Sequence, residues 1–319
     1  MRKVFCIGLS AVLLLSCNRL SSSYDTPVVL GVGTLQVDTK APSSENLLTS
    51  VFSVGDQMSV FLEPSSHYGM SARIFQATEV TSTPSTVFWG YPETVFFPSS
   101  GTVDIYAFSP SSVVGGAIRS TSVGFTVQSD QSSRAAYLAS DLMYGSATGI
   151  ASTSGRVPVA MTHALSRLTI RLSAGGLTSA EQSALLASLA GSTITLSGDI
   201  LTNIEGFNLG NPSAAYTLGN TNGSPITFAA GVNPSFYNSA GDTEYSVILP
   251  PQTLSASTTL SISPAGGSTI SGRFLSSLVL ERGKEAVVTF SVVNRTLTLA
   301  CIELVAWPSS PTGTGSVTF

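Results

Sequence analysis

Histidine, cysteine and charge are what this sequence has least of. Its 319 residues include two His and three Cys. That leaves little material for a metal cluster or a disulfide scaffold. Charged residues make up 10% of the chain, against about 25% in an average soluble protein. The balance is acidic, with a formal net charge of −4 and a pI of about 5.2. This argues against nucleic acid as a partner. Runs rich in Ala, Glu, Lys and Leu are scarce, which excludes a coiled coil or a helical bundle. What the chain does have is hydroxyls and turns. Roughly a quarter of its residues are Ser or Thr, with 29 Gly and 16 Pro. That mixture favours strands separated by turns. The length suits two domains of about 100–200 residues each.

The first residues read as an address. Met1-Arg2-Lys3 carries two positive charges, and residues 4–15 are almost wholly apolar. A run of about a dozen residues, at about 1.5 Å per residue, is too short to span a bilayer. It reads as a secretory signal over residues 1–16. Leu14-Leu15-Ser16-Cys17 fits the bacterial lipobox, with cleavage between Ser16 and Cys17 and acyl chains placed on Cys17. Each buried methylene contributes about 0.8 kcal/mol, so several chains hold a domain on a membrane. Residues 17–27 then read as a tether. Removal of the signal leaves Cys301 as the one thiol besides Cys17, and its apolar surroundings predict a buried, inert side chain.

Strand signals recur after the tether. They fall at residues 28–38, 58–62, 86–89, 95–97, 103–108 and 124–128. The small, polar stretch 145–155 predicts a boundary between an N-terminal β-sandwich over 28–155 and a C-terminal one over 156–319. In the second, Leu168, Ile170 and Leu172 alternate with Arg167, Thr169 and Arg171, which predicts one buried face and one wet, cationic face. Tyr245, Val247 and Leu249 repeat the pattern, as do Val288, Phe290 and Val292. The last of these leads into a hairpin with residues 296–304. Thr178-Ser179-Ala180-Glu181 is a capping box that starts one short helix.

Chemistry is sparse. Neither His67 nor His163 has metal ligands at the usual spacing, and no Gly-x-Ser-x-Gly elbow is present. His163 reads as a structural residue. Gly31-Val32-Gly33 lacks the third glycine of a dinucleotide loop. No cofactor, metal site or catalytic residue is assigned, and the chain is read as a non-enzyme. Trp89 and Trp307 are the candidates for stacking on a sugar, with core packing the favoured reading for each.

Several segments together resemble the fimbrillin, or Mfa-like, family of type V pilins and related lipoproteins. They are the lipobox at Cys17, Thr39-Lys40-Ala41, Phe52-Ser53-Val54-Gly55-Asp56 and Asp141-Leu142-Met143-Tyr144. His163-Ala164-Leu165-Ser166-Arg167-Leu168-Thr169-Ile170, Val247-Ile248-Leu249-Pro250-Pro251-Gln252-Thr253 and the strand ending at Trp307 complete the series. The resemblance implies an all-β chain of two tandem transthyretin-like β-sandwich domains. It implies export as a lipoprotein to the outer membrane, held there by the lipid on Cys17, or presentation in a surface fimbrium. It also implies loss of the first strand to a trypsin-like protease, then strand exchange with other fimbrial subunits. Where the family has Arg at the processing position, this chain has Lys40. Residues 28–38 and 316–319 are the candidate donor segments. A host protein or glycan is the implied adhesive partner. A surface glycan-binding lipoprotein that shares the fold is the alternative reading.

Overall fold

A computed structural model describes residues 29–33, 52, 54–82, 85–93, 95–98, 100–151, 156–174, 177–189, 192–219, 225–228, 244–264, 267–293 and 296–307. The strands are, in chain order, β1 (Val29–Gly33), β2 (Gln57–Glu63), β3 (Arg73–Ser82), β4 (Ser85–Gly90), β5 (Thr102–Ser109), β6 (Ser122–Thr126), β7 (Asp130–Gln131), β8 (Met143–Ala151), β9 (Arg156–Pro158) and β10 (Ala160–His163). They continue with β11 (Ser166–Ser173), β12 (Thr193–Ser197), β13 (Asn203–Asn208), β14 (Thr217–Leu218), β15 (Ile226–Phe228) and β16 (Glu244–Leu249). The last are β17 (Thr253–Leu254), β18 (Thr259–Ser263), β19 (Ile270–Arg273), β20 (Leu278–Val279), β21 (Lys284–Val293) and β22 (Thr296–Ala306). Three short helices accompany them: α1 (Ser65–Tyr68), α2 (Arg134–Ser140) and α3 (Ser179–Leu189). The all-β expectation holds, with three helices where one was expected. Among the described residues no helix is long and apolar enough to cross a membrane.

The first sheet has eight strands in the order β10-β8-β5-β2-β3-β4-β1-β9. Its two end strands are neighbours in sequence, separated only by the buried Val159. The ladder therefore wraps round a core of Met58, Val60, Leu62, Phe75, Trp89, Phe97, Ile105, Val157 and Met161. Period-two alternation does the sorting: Val103, Ile105 and Ala107 of β5 face inward. The second body has a sheet β16-β11-β21-β22 and a sheet β19-β18-β12-β15-β7. Leu168, Ile170, Leu172, Ile194, Leu196, Phe228, Leu260, Ile262 and Phe290 share their core. The expected hairpin of β21 and β22 forms, as does the capping box. The Thr178 backbone N–H and hydroxyl both donate to Glu181 Oε2 at 2.7 Å.

The division of the chain differs from the expected break at residue 155. After β5 the chain leaves the first sheet. β6 pairs with β13 and β7 with β15, and Val113, Phe125, Tyr137 and Leu142 join the second core. β8, β9 and β10 then return to the first sheet before the chain crosses again at Ala164. The residues expected to form a linker are instead strand β8. Their smallness has a packing cause: a Cβ on Gly145 would lie 2.3 Å from the Ala160 carbonyl oxygen on β10. Glycine is what lets these backbones approach.

The short α2 depends on its N-cap, where Ser133 Oγ accepts from the Ala136 N–H at 3.2 Å. Ser133→Ala is expected to lower stability by about 0.5–2 kcal/mol, as measured by urea denaturation.

Candidate assembly slot

β1 is the only strand described upstream of β2, and it is inserted, not added at an edge. It runs antiparallel to β4 and parallel to β9. Leu30 is in register with Trp89 on one side and Val157 on the other, and Gly31 with Phe88 and Pro158. Trp89 and Val157 are both buried. Without β1, the edges of β4 and β9 would face each other across about 9–10 Å, the room of one strand. Both edges would carry unpaired backbone groups. Pro158 has no N–H, so its contribution to the β9 edge is an acceptor only.

A second feature lies where the bodies meet. Asp141 and His163 flank the β8–β10 pair, and His163 Nδ1 lies 2.7 Å from Asp141 Oδ1. The His163 ring stacks on Trp307 with centroids 3.6 Å apart and planes 9° from parallel. The Arg167 guanidinium lies 5.4 Å from the same indole. Arg167 also pairs with Glu285 at 2.5 Å, while Thr169 donates to the other Glu285 oxygen at 2.5 Å. Thr169 and Ser246 hydroxyls are 2.9 Å apart. Burial on its own would push the Arg167 pKa down, but Tyr137 and Glu285 together hold it above the ordinary arginine value.

The expected wet, cationic face of β11 is thus not wet. Arg167 and Thr169 are buried, and Arg171 is only half-buried beside Glu303. A cation tolerates burial when a carboxylate and hydroxyls satisfy it. Trp89 is 1% exposed and Trp307 3%, so neither offers a ring face to a sugar. Phe52 packs edge-on against Trp89 at 5.0 Å, and His163 covers Trp307. Cys301 is a further correction, since its thiol is exposed. It sits on the outer half of β22, where Glu303, Leu304 and Val305 are exposed too. Ser16, Cys17 and Lys40 lie outside the described residues.

The sequence matches the fimbrillin-like family over residues 39–307. The chain belongs to the fimbrillin-like family. No curated protein matches it in sequence. Among solved structures, a candidate cell adhesion protein from Bacteroides uniformis aligns at 19% identity with a TM-score of 0.59, covering 89% of this chain and 98% of that one. Another, from Bacteroides ovatus, aligns at 14% identity with a TM-score of 0.60 and the same coverage. At these identities the likeness is one of fold.

The segments that carried the fimbrillin resemblance prove to be joints. Phe52 packs on Trp89, Gly55 turns with φ +96°, and Asp56 pairs with Arg134 of α2 at 2.9 Å. Asp141 meets His163 across 22 residues of sequence. The buried Gln252 accepts from the Leu201 N–H at 2.8 Å and donates to its carbonyl at 2.9 Å. Gln131 does the same to Ile248 of β16, at 2.9 and 2.8 Å. Sequence reasoning missed Glu285, Gln131 and Arg119. Arg119 joins Glu63 at 2.6 Å and stacks 3.5 Å from the Tyr106 ring centroid. Each is a solitary polar residue whose partner is remote, so no local spacing marks it.

Proposed function

We propose that this chain is a fimbrial subunit of the cell surface that assembles by strand exchange. In this reading it is exported as a lipoprotein, with the lipid on Cys17 holding it to the outer membrane. Cleavage near Lys40 frees β1, and a strand from another subunit takes its place. The observation that carries the reading is the position of β1: a strand from the far N-terminal side, paired on both flanks inside the first sheet. Family membership supports the fimbrial part of the proposal. The family and the core burial of Trp89 and Trp307 both favour mechanical assembly over glycan capture.

The test uses the folded mature chain with a specific protease site in place of Lys40. After cleavage, β1 is expected to be displaced and the protein to form a ladder of oligomers. Unheated gels and light scattering would read it. A cleaved protein that loses β1 yet stays monomeric at high concentration would overturn the reading.

A further inference from the structure

The pattern Gly-x-Gly occurs at two places in the whole sequence. One is Gly31-Val32-Gly33 in β1, and the other is Gly313-Thr314-Gly315. The likeness continues beyond the glycines. Gly31-Val32-Gly33-Thr34-Leu35-Gln36-Val37 reads glycine, β-branched, glycine, hydroxyl, aliphatic, polar, apolar. Gly313-Thr314-Gly315-Ser316-Val317-Thr318-Phe319 reads the same, position for position. Two glycines two apart leave one face of a strand without side chains, which suits a place where another backbone comes close. We infer that residues 313–319 of one copy occupy the β1 slot of a second copy, in the register and direction of β1. Gly313 would then stand between Phe88 and Pro158, Thr314 opposite Val87, and Gly315 opposite Thr86.

Geometry selects a second copy over self-insertion. Trp307 is fixed on His163, at the far end of β10. The start of the slot, where Val29 is in register with Arg156, lies seven residues back along the β9–β10 path. At about 3.3 Å per residue that is about 23 Å. Residues 308–311 reach at most about 14 Å from Trp307 when fully extended. A chain's own segment therefore falls short of its own slot in the β1 direction, while a neighbouring molecule's does not. Because one chain carries both slot and matching strand, the product is a homopolymer.

This inference rests on the strand-exchange reading, and the experiment separates the two. The mature chain carries the protease site at Lys40, Cys17→Ser and Cys301→Ser, together with Val87→Cys and Thr314→Cys. Paired residues on adjacent antiparallel strands have Cα atoms about 4.5–5.5 Å apart, within disulfide reach. The expected result is a ladder of intermolecular disulfides after cleavage and none before it. Moving the second cysteine to Val317→Cys shifts it about 10 Å along the strand and is expected to abolish the cross-link. Gly313→Val with Gly315→Val is expected to abolish the ladder itself. Oligomers that form without the Val87–Thr314 cross-link and survive the glycine changes would overturn this register while leaving strand exchange standing. A cross-linked monomer would overturn the second-copy assignment. No oligomer in any variant would remove both readings.

Discussion

Glu285→Ala is expected to lower stability by about 3–5 kcal/mol, because it leaves a buried guanidinium without its counter-charge. Arg167 and Glu285 are both nearly fully buried, and their 2.5 Å contact is extended by Thr169 and Ser246. Removing one partner keeps the desolvation cost of the other and loses the attraction that offset it. The reverse change tests the cause. Arg167→Met combined with Glu285→Leu removes both charges and keeps most of the volume, and is expected to recover most of the loss. Denaturant titration of the four proteins gives the coupling. A single substitution costing under about 1 kcal/mol would mean that water reaches Arg167, against its burial under α2 and Trp307.

Trp89→Ala is the second large effect, with an expected cost of about 3–5 kcal/mol from lost burial and the cavity left behind. The indole is 1% exposed, packs against Phe52 and sits on the strand that borders β1. Its Nε1 has no hydrogen-bond partner among the described residues. Trp89→Phe therefore sacrifices no polar contact and is expected to cost much less. Hydrogen exchange gives an independent reading. The cavity should speed amide exchange in β1 and β4 before it affects β11 and β21, which belong to the other core. Equal acceleration across both bodies would show that the two cores unfold as one unit.

Much of the second body was legible from sequence. The alternation at Leu168, Ile170 and Leu172 marked β11, and the same period marked β16 and β21. The Thr178–Glu181 pair marked the start of α3. The first body was legible strand by strand at β2, β4 and β5, because turns bound each short apolar run. Its limits were not. Residues 122–140 carry signals that fit either body, and only their pairing with β13 and β15 assigns them. Glycine and serine in β8 resembled a linker because composition does not separate a flexible stretch from one squeezed against another strand.

Local order alone thus settled which residues alternate, where the chain turns and which ends of helices are capped, since these depend on neighbours within a few positions. The folded molecule decided what lies over each face. Periodicity shows that Arg167 and Leu168 point opposite ways but cannot show that α2, Glu285 and Trp307 close over the arginine. Nor can it show that nothing comparable shields Cys301. Those outcomes depend on groups a hundred residues apart meeting in a low-dielectric interior, and that information resides in the pairing of strands, not in the period of any one of them.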